Sequence, residues 1–465
     1  MISHMRSLMC NLSLFLRALE LKYKRIFSIE EIERETILQW MFGASLLFFF
    51  ITFNRWITSS NVTIEAAQRG SAVCWEYFQN CADFYFLHEI GVGYSQTIFY
   101  MVLYGIMLLI VYCMWQREWA RAHVLLTLLL LWEILVVLVL SFSDGAPYYY
   151  YHIVLTTMLL FVRHKEFFLK FSFVFMYFMS ATTKLDSTWI LGTYFTALRD
   201  GLPLFPDILA APITNVVIFM QMIGAWFLIS RNMVLQRIAF LYFLAFHLYS
   251  GIFVLYFYPS VSLPPLLILF GPMYRYTSIP FDKKTFAGIL VLLLVTIFQL
   301  LGFTAPGDRR MTLEGNKFGM FMFEANHQCI VTTGTYRRGE PISRPDFEVA
   351  DGTPCTGFFC LTKRTTTEAG EGRTVREERY ESGTAWNRCY PYERWSRLQA
   401  QCKRDVSIER ISLRLDHSIN GGPFYRTVDE ENICNVPYRA FGGNAWIKQP
   451  PEAPLIGYPV TNTYN

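Results

Sequence analysis

The sequence predicts an all-α polytopic membrane bundle of about nine spans with a cytoplasmic N-terminus, followed by a small disulfide-rich α+β external domain. Three observations lead to this fold class. Long apolar runs fill the chain before residue 305, basic residues recur in alternate connections between those runs, and most of the ten cysteines lie in connections of the opposite kind. We therefore divide the chain into a cytoplasmic amphipathic segment at 1–36, a transmembrane bundle at 37–304 and an external cysteine-rich domain at 305–465.

Apolar runs account for the predicted bundle. A helix that crosses a bilayer needs about 20 apolar residues, and 53% of this chain is hydrophobic. The eighth run is the weakest, because it contains Pro259, Pro264 and Pro265, and we expect it to be short, broken or re-entrant. The runs lie at 37–54, 96–115, 123–142, 147–162, 167–183, 209–230, 235–257, 259–274 and 286–304.

Basic residues orient the predicted bundle. Cytoplasmic connections of membrane proteins are rich in lysine and arginine, and the chain before the first run is basic. Its broken apolar stretch does not suit a cleavable signal peptide and is typical of an amphipathic helix on the cytoplasmic leaflet. The even-numbered connections carry the other basic residues expected on that side, which are Arg117, Arg121, Arg163, Lys165, Arg231, Arg237, Arg275, Lys283 and Lys284.

Cysteines support the same orientation. An even set on the oxidising side of a membrane predicts disulfide bonds, although it leaves their connectivity open. Zinc is the alternative, but Cys355 and Cys360 have no matching second pair, so we predict no metal site. The predicted location is a bacterial inner membrane with a periplasmic domain, or an endoplasmic reticulum with a lumenal one. The cysteines predicted to be external are Cys74, Cys81, Cys329, Cys355, Cys360, Cys389, Cys402 and Cys434.

The external domain carries no nucleotide-binding or hydrolase motif. Segment 362–380 is charged and predicts a loop, while the residues between Cys389 and Cys402 predict a helix that an alternating strand at 411–418 follows. Asp416 and His417 are adjacent, so on one strand they point to opposite faces, which favours a solvated strand end over a catalytic dyad. The net charge of +4 gives no reason to expect a nucleic-acid partner.

Ionisable residues in the runs are candidate functional residues, because charge is costly inside a bilayer. Lys170 lies one turn from the cytoplasmic end of its run and suits an anchor that reaches the interface. Glu133 lies in mid-span, where it can pair with a histidine or lysine of another helix or make a protonated structural contact. His247 is deep in the seventh run, where Ser250 or a backbone carbonyl can satisfy it. His152 follows a run of interfacial tyrosines.

Lys184 ends the fifth run on the predicted external side, above a polar stripe. Ser180 and Tyr177 lie four and seven residues before it, on the same helical face. Asp186 projects elsewhere while the helix continues. A lysine withdrawn from water at this point becomes a proton acceptor, because burial disfavours its charged form. A lysine that reaches the interface is an anchor, and the spacing leaves both interpretations open.

The motif around Lys184 resembles a segment of the vitamin K-dependent γ-glutamyl carboxylases and of the wider horizontally transferred transmembrane (HTTM) domain family. In that family a span ends in Tyr-Phe-x-Ala-Gly-x-x-Lys-Leu and is followed by Asp, Trp, Gly and Tyr. The stretch around His247 is similar to the family's Phe-His motif, and residues 313–323 are similar to its segment after the last span. The resemblance covers roughly 30–340, and its matching positions are Lys184, Leu185, Asp186, Trp189, Gly192 and Tyr194.

The resemblance implies a quinol-dependent carboxylase. Lys184 matches the lysine that is the family's weak base and deprotonates reduced vitamin K. The resulting anion reacts with O2 to give a strong base, which removes the γ-proton of a substrate glutamate before CO2 adds. The implied cofactors are therefore a reduced naphthoquinone, O2 and CO2, without a metal. The candidate catalytic residues are Lys184, His247 and His152, and the candidate cofactor-binding residues are Tyr177, Ser180, Trp189, Tyr194 and Glu133.

Departures from the family pattern leave two functions open. Ser180 and Ala181 stand where the family has Ala-Gly, and the tyrosines before His152 replace two asparagines. The large substrate-binding lumenal region of the animal enzymes has no match. The first function is a quinol-dependent membrane enzyme with Lys184 as its base. The second is a non-catalytic protein that binds a lipid or quinone and docks an external protein or peptide. The lipid bilayer is a partner in both.

Overall fold

The computed structural model describes residues 18–58, 76, 79, 94–139, 147–196, 201–253, 257–315, 319–321, 326–338, 362–370, 373–382 and 389–456. The first part is a helical bundle. It begins with α1 (18–27), α2 (Ile29–Arg34), α3 (Thr36–Thr58), α4 (Tyr94–Trp115), α5 (Trp119–Val139), α6 (Pro147–Phe161) and α7 (Lys165–Thr182). It continues with α8 (Ser187–Ile190), α9 (Thr193–Thr196), α10 (Ala210–Met222), α11 (Met233–Phe253), α12 (Phe257–Phe270) and α13 (Phe286–Leu301).

The core of the bundle is apolar and aromatic. Helix α11 packs on α12, α12 packs on α3 and α6, and α6 packs on α7. Phe42, Phe49 and Phe53 of α3 and Tyr177 of α7 are fully buried in this core. Other apolar side chains point outward, including Leu241 of α11, which is 60% exposed. Apolar surface on both sides of a helix is typical of a membrane bundle, where lipid covers the outer face.

Three helical segments of the described chain are long and apolar enough to cross a membrane, namely Thr36–Asn54, Met233–Phe253 and Lys283–Thr304. The structure thus supports a helical, membrane-like bundle and three spans by length, rather than the nine that the sequence predicts. The sixth run breaks after α10 into a 3-10 helix at Gly224–Ile229, and the eighth run forms only the 14-residue α12, which continues through Pro264 and Pro265. The shorter apolar segments are Tyr100–Trp115, Tyr149–Phe161, Asp207–Met222 and Tyr258–Phe270.

The predicted N-terminal segment is helical over the part that the structure describes, and it packs on the bundle. Ile29 and Ile32 of α2 are fully buried. The Glu31 carboxylate accepts hydrogen bonds from the backbone N–H groups of His164 at 3.2 Å and Lys165 at 2.9 Å. Because these N–H groups open α7 and have no partner inside that helix, Glu31 joins α2 to the first turn of α7.

The second part of the chain contains a six-stranded antiparallel sheet in the order β2-β3-β1-β4-β5-β6. A one-turn helix, α14 (Arg309–Thr312), precedes it, and α15 (Pro391–Arg404) packs against β4. This arrangement confirms an α+β domain. The strands are β1 (His327–Arg337), β2 (Thr362–Gly370), β3 (Arg373–Ser382), β4 (Ile408–Ile419), β5 (Phe424–Glu430) and β6 (Leu455–Ile456).

Segment 362–380 was expected to be a loop, and that prediction is wrong, because β2 and β3 form a hairpin there. The charged residues of β3 find partners. Glu378 is buried and accepts hydrogen bonds from Tyr380 at 2.8 Å and from Arg394 of α15 at 2.9 Å. A strand can contain this many charged residues when the carboxylate that points inward is paired. The sequence pattern alone does not reveal that pairing.

Two disulfide bonds join described parts of this domain. Cys329 of β1 is bonded to Cys389 before α15, and Cys402 at the end of α15 is bonded to Cys434. The bonds confirm disulfide bonding for four of the eight cysteines predicted to be external, and α15 confirms the predicted helix between Cys389 and Cys402. Cys113 is buried and unbonded. The predicted external cysteines that lie outside the described residues are Cys74, Cys81, Cys355 and Cys360, so the zinc alternative at the last two also lies there.

Candidate functional site

Lys184 follows the C-terminal end of α7 and is almost completely buried, with 3% of its surface exposed. Its Nζ lies 3.1 Å from both the carbonyl oxygen and the Oγ of Ser180. The ring centroid of Trp189 lies 5.4 Å from the same nitrogen. Two of the predicted cofactor-binding residues, Ser180 and Trp189, therefore contact the predicted base directly.

Asp186 fixes the position of Trp189. As the N-cap of α8 it accepts hydrogen bonds from the backbone N–H groups of Thr188 at 2.7 Å and Trp189 at 3.4 Å. Its carboxylate also forms an ion pair with Arg310 of α14 at 3.1 Å. This contact joins the Lys184 segment to the start of the second part of the chain. We call this end of the bundle the domain end. Tyr194 lies in α9, and its side chain is outside what the structure describes.

An open cavity of about 470 Å³ lies beside the Lys184 segment. Leu185 in its wall is 53% exposed, and the Arg309 guanidinium lies 4.0 Å from the ring centroid of Phe303. Burial raises the pKa of Asp308, but the hydrogen bonds from Arg310 and the positive charges of Arg310 and Arg309 together hold that pKa below the ordinary value. The lining residues are Thr182, Thr183, Leu185, Asp186, Phe303, Ala305, Gly307, Asp308, Arg309 and Arg310.

Tyr177 and His247 belong to a second group, a hydrogen-bonded network inside the bundle. Ser262 of α12 donates to the carbonyl oxygen of Tyr258 at 2.9 Å, and its Oγ lies 3.1 Å from Nδ1 of His247. Because the Ser262 proton is used in that way, Nδ1–H of His247 donates to Ser262, and Nε2 accepts from the Tyr177 hydroxyl. Tyr258 donates to the hydroxyl of Tyr151 at 3.1 Å.

All five side chains of this network are buried. The expectation that Ser250 or a backbone carbonyl satisfies His247 is wrong, since Tyr177 and Ser262 do so. Ser250 lies three residues after His247 on its own helix, whereas the observed partners come from α7 and α12. Sequence spacing within one helix does not reveal partners on others.

Glu133 and His152 form the third group. Oε1 of Glu133 lies 3.0 Å from Nδ1 of His152, and both side chains are fully buried. The contact lacks the angles of a hydrogen bond, so the short distance alone defines this pair. The rings of Phe48 and Phe49 pack against the imidazole at centroid distances of 5.4 and 4.5 Å. Of the partners that the sequence allows for Glu133, the structure shows the histidine of another helix, His152.

Lys170 does not act as an interfacial anchor. It is 1% exposed, donates to Glu166 at 2.7 Å and to the carbonyl oxygen of Arg275 at 2.6 Å. Arg275 also forms ion pairs with Glu166 and with Glu35. The prediction of an anchor is wrong, because Glu166 of the same helix and the carbonyl oxygen of Arg275 hold the ammonium inside the bundle.

A pair of histidines lies in the sheet domain next to α14. Nδ1 of His327 is 3.0 Å from Nε2 of His417, and Nδ1 of His417 contacts the carbonyl oxygen of Met311. Burial lowers the pKa of His417 to about 4, although the Met311 contact opposes this. Asp416 points away and pairs with Arg426 at 2.9 Å.

The opposite orientation of Asp416 and His417 is therefore confirmed, but the solvated strand end is wrong. Asp416 is 3% exposed and His417 is fully buried. Strand β4 is internal, since β1 and β5 flank it, and its end is covered by the bundle-proximal helix α14. The sequence gives no local signal of this pair, because His327 and His417 lie 90 residues apart in the chain.

Comparisons with known proteins give no match among models of protein families, among curated proteins or among solved structures. The resemblance to the HTTM family consequently stays a prediction. Within the described ranges, no group of three or more histidine, cysteine, aspartate or glutamate side chains is arranged to hold a metal ion.

Proposed function

We propose that the chain is a multi-pass membrane protein of the HTTM type in which Lys184 is the general base for a reduced naphthoquinone. The observation that carries this proposal is the burial of the Lys184 side chain between Ser180 and Trp189. A base must be neutral before it accepts a proton, and burial favours the neutral amine of lysine. The roles of the other predicted residues are proposals as well.

The residues at the domain end fit a flat aromatic molecule with hydroxyl groups. Phe303 supplies a half-exposed aromatic ring and Leu185 an exposed apolar surface in the cavity wall. The Asp186 Oδ2 is buried and accepts no hydrogen bond from the described residues, so it can accept one from a ligand hydroxyl. When bound, a reduced naphthoquinone supplies the hydroxyl proton that a base removes and the electrons that reduce O2.

The chain's own groups support proton transfer at Nζ of Lys184. After protonation, the ammonium donates to the two oxygens of Ser180, which already lie within hydrogen-bonding distance. The Trp189 ring adds a favourable interaction with the new positive charge. Because Asp186 caps the helix that carries Trp189, it is a positioning residue for this ring. His247 and His152 support the site in this proposal without contacting the transferred proton.

The topology is part of the proposal. The four shorter apolar helices also cross the membrane in this account, and so do α5 and α7, which brings the total to nine spans. Support comes from Arg163 in one connection and Arg275 and Lys284 in another, since these basic residues line one cavity with residues of the N-terminal segment. The domain end then lies outside the cytoplasm, in agreement with its two disulfide bonds.

A non-catalytic function is the second candidate. The observation in its favour is the network of Tyr177, His247 and Ser262, whose polar groups satisfy one another inside the core. Such a network stabilises a unique packing without any chemistry. In this account the bundle binds a lipid or quinone and the sheet domain docks an external protein or peptide.

The test is oxygen-dependent oxidation of a reduced short-chain naphthoquinone by the full chain in lipid nanodiscs. We expect Lys184→Ala to lower the rate by at least about 100-fold, the usual contribution of a general base. Lys403→Ala is the matched control, because this exposed lysine lies on α15, away from the site. Unchanged oxidation by Lys184→Ala contradicts the proposal. Quinone binding without oxidation by the native chain supports the non-catalytic candidate instead.

A further inference from the structure

A cavity of about 700 Å³ lies at the end of the bundle opposite the domain end. We call it the basic cavity. It lies between α2, the turn from α6 to α7 and the segment that joins α12 to α13. Both acidic and basic side chains line it, so the charge that it presents to a ligand depends on which of them are already paired within the protein.

Most acidic side chains in its wall are paired. The carboxylate of Glu31 accepts two backbone N–H groups at the start of α7. Glu166 pairs with Lys170 and Arg275, and Glu35 pairs with the same Arg275. These contacts leave Glu30 as the acidic lining residue without a partner among the described residues.

Basic side chains in the wall are available for a ligand. Arg25, Arg34 and Lys284 form no ion pair or side-chain hydrogen bond with any residue in the described ranges. Arg163 donates one hydrogen bond to the carbonyl oxygen of Arg25 at 2.9 Å and forms no ion pair with a carboxylate of the described residues. These four cations face the carboxylates of Glu30 and Glu31, since backbone N–H groups bind Glu31 without cancelling its charge, and two net positive charges are left for an anion.

An apolar groove of about 650 Å³ adjoins the basic cavity, and Pro280 lines both. Phe281, Phe286 and Ile289 line this groove, and their exposed fractions are 92%, 68% and 52%. Helix α13, which carries two of these side chains, belongs to one of the three membrane-length helical segments. The groove therefore runs from the cavity along a helix that lipid surrounds.

We propose that this end of the bundle binds an anionic phospholipid, with its phosphate in the basic cavity and an acyl chain in the groove of Phe281 and Phe286. Phosphate suits the cavity because arginine donates to two phosphate oxygens at once. The apolar groove distinguishes a lipid from a free phosphate, since only the lipid fills both compartments. This site is independent of the function proposed for Lys184.

The test measures binding of short-chain phosphatidylglycerol to the full chain in a neutral detergent. Phosphatidylcholine of the same chain length and inorganic phosphate are the comparison ligands. Each basic residue near an anionic headgroup contributes about fivefold in affinity. We therefore expect the double substitution Arg34→Gln and Lys284→Gln to weaken phosphatidylglycerol binding by about 25-fold. We expect Phe281→Ser to weaken it while leaving the retention of inorganic phosphate unchanged.

The control is the double substitution Lys22→Gln and Arg117→Gln, which removes two exposed basic residues that do not line the cavity. It is expected to change the affinity by less than about threefold. Equal binding of phosphatidylcholine overturns the proposal, and so does an equal loss of affinity in the control. Inorganic phosphate that binds as tightly as the lipid also overturns it, because free phosphate is then the ligand.

Discussion

Replacement of Asp186 by alanine is expected to release the segment that holds Trp189 against Lys184. The Asp186 carboxylate caps α8 through Thr188 and forms an ion pair with Arg310. Without these contacts, α8 has only four residues and no other side-chain cap. Helices of this length have little stability of their own, so the tertiary contacts of Asp186 decide whether the segment stays ordered.

The magnitude follows from the two contacts. Loss of an aspartate N-cap costs about 1 kcal/mol. The ion pair with Arg310 is partly solvated, since the two side chains are 22% and 19% exposed, and Arg310 keeps Asp308 as a partner. We therefore assign the pair about 1 kcal/mol. The sum of about 2 kcal/mol corresponds to about a 30-fold shift in the local opening equilibrium. Asp186→Asn keeps an oxygen acceptor for the cap and is expected to shift it only about fivefold.

Hydrogen–deuterium exchange of the chain in nanodiscs measures this opening in peptides that cover 185–196. We expect exchange there to be about 30-fold faster in Asp186→Ala and about fivefold faster in Asp186→Asn. Asp207→Ala is the control, because Asp207 is an exposed aspartate in the 3-10 helix before α10 and caps no α-helix. Unchanged exchange in Asp186→Ala refutes the positioning role, and equal rates in both Asp186 variants refute the contribution of the cap.

Three further predictions concern stability. Replacement of Cys402 and Cys434 by alanine opens a loop of 32 residues. By the chain-entropy relation, it is expected to lower the free energy of unfolding by about 4 kcal/mol. The measurement is the urea midpoint of the sheet domain, which should fall, and an unchanged midpoint contradicts the prediction. The folded pKa of His417 is lowered to about 4, so the unfolded chain binds more protons below about pH 6.5. Stability should therefore fall by about 3 kcal/mol between pH 6.5 and pH 4, and His417→Gln should remove that part of the pH dependence in denaturation curves. Tyr177→Phe leaves Nε2 of His247 without its donor and is expected to cost about 1 kcal/mol in detergent unfolding experiments, whereas no loss indicates that the network contributes little.

Several features of the fold follow from sequence patterns. The apolar runs predict a helical membrane-like bundle, because helices are what long apolar segments form in lipid. The cysteines around 391–404 predict a helix joined to the rest of a small domain by disulfides, and two such bonds are present. The alternation at 411–418 predicts β4. In each case the information is local, since it lies in the period of the pattern or in the spacing of a few residues.

Other features depend on partners that are distant in the sequence. The hairpin of β2 and β3 depends on pairing with β1 and on Arg394, which neutralises the inward Glu378. The burial of Lys170 depends on Arg275, 105 residues further along the chain. The length of a helix is also not predicted by its apolar run. The run at 209–230 is apolar throughout, yet its α-helix ends at Met222 and a 3-10 helix follows.

The candidate site shows the same division. The spacing of Ser180 and Lys184 predicts their contact, because residues four apart meet on a helix face. Trp189 also contacts Lys184, but only because Asp186 caps a separate helix and binds Arg310. That geometry depends on a contact across 124 residues of chain, which no local pattern contains.

Chemical rescue shows directly whether Lys184 acts as a base. The measurement is the rate of oxygen-dependent naphthoquinol oxidation by Lys184→Ala in nanodiscs as small primary amines are added. We expect the amines to restore oxidation in proportion to the concentration of their neutral form, while Lys403→Ala needs no rescue. Native-like oxidation by Lys184→Ala without any amine contradicts the account, because the lysine is then not the proton acceptor.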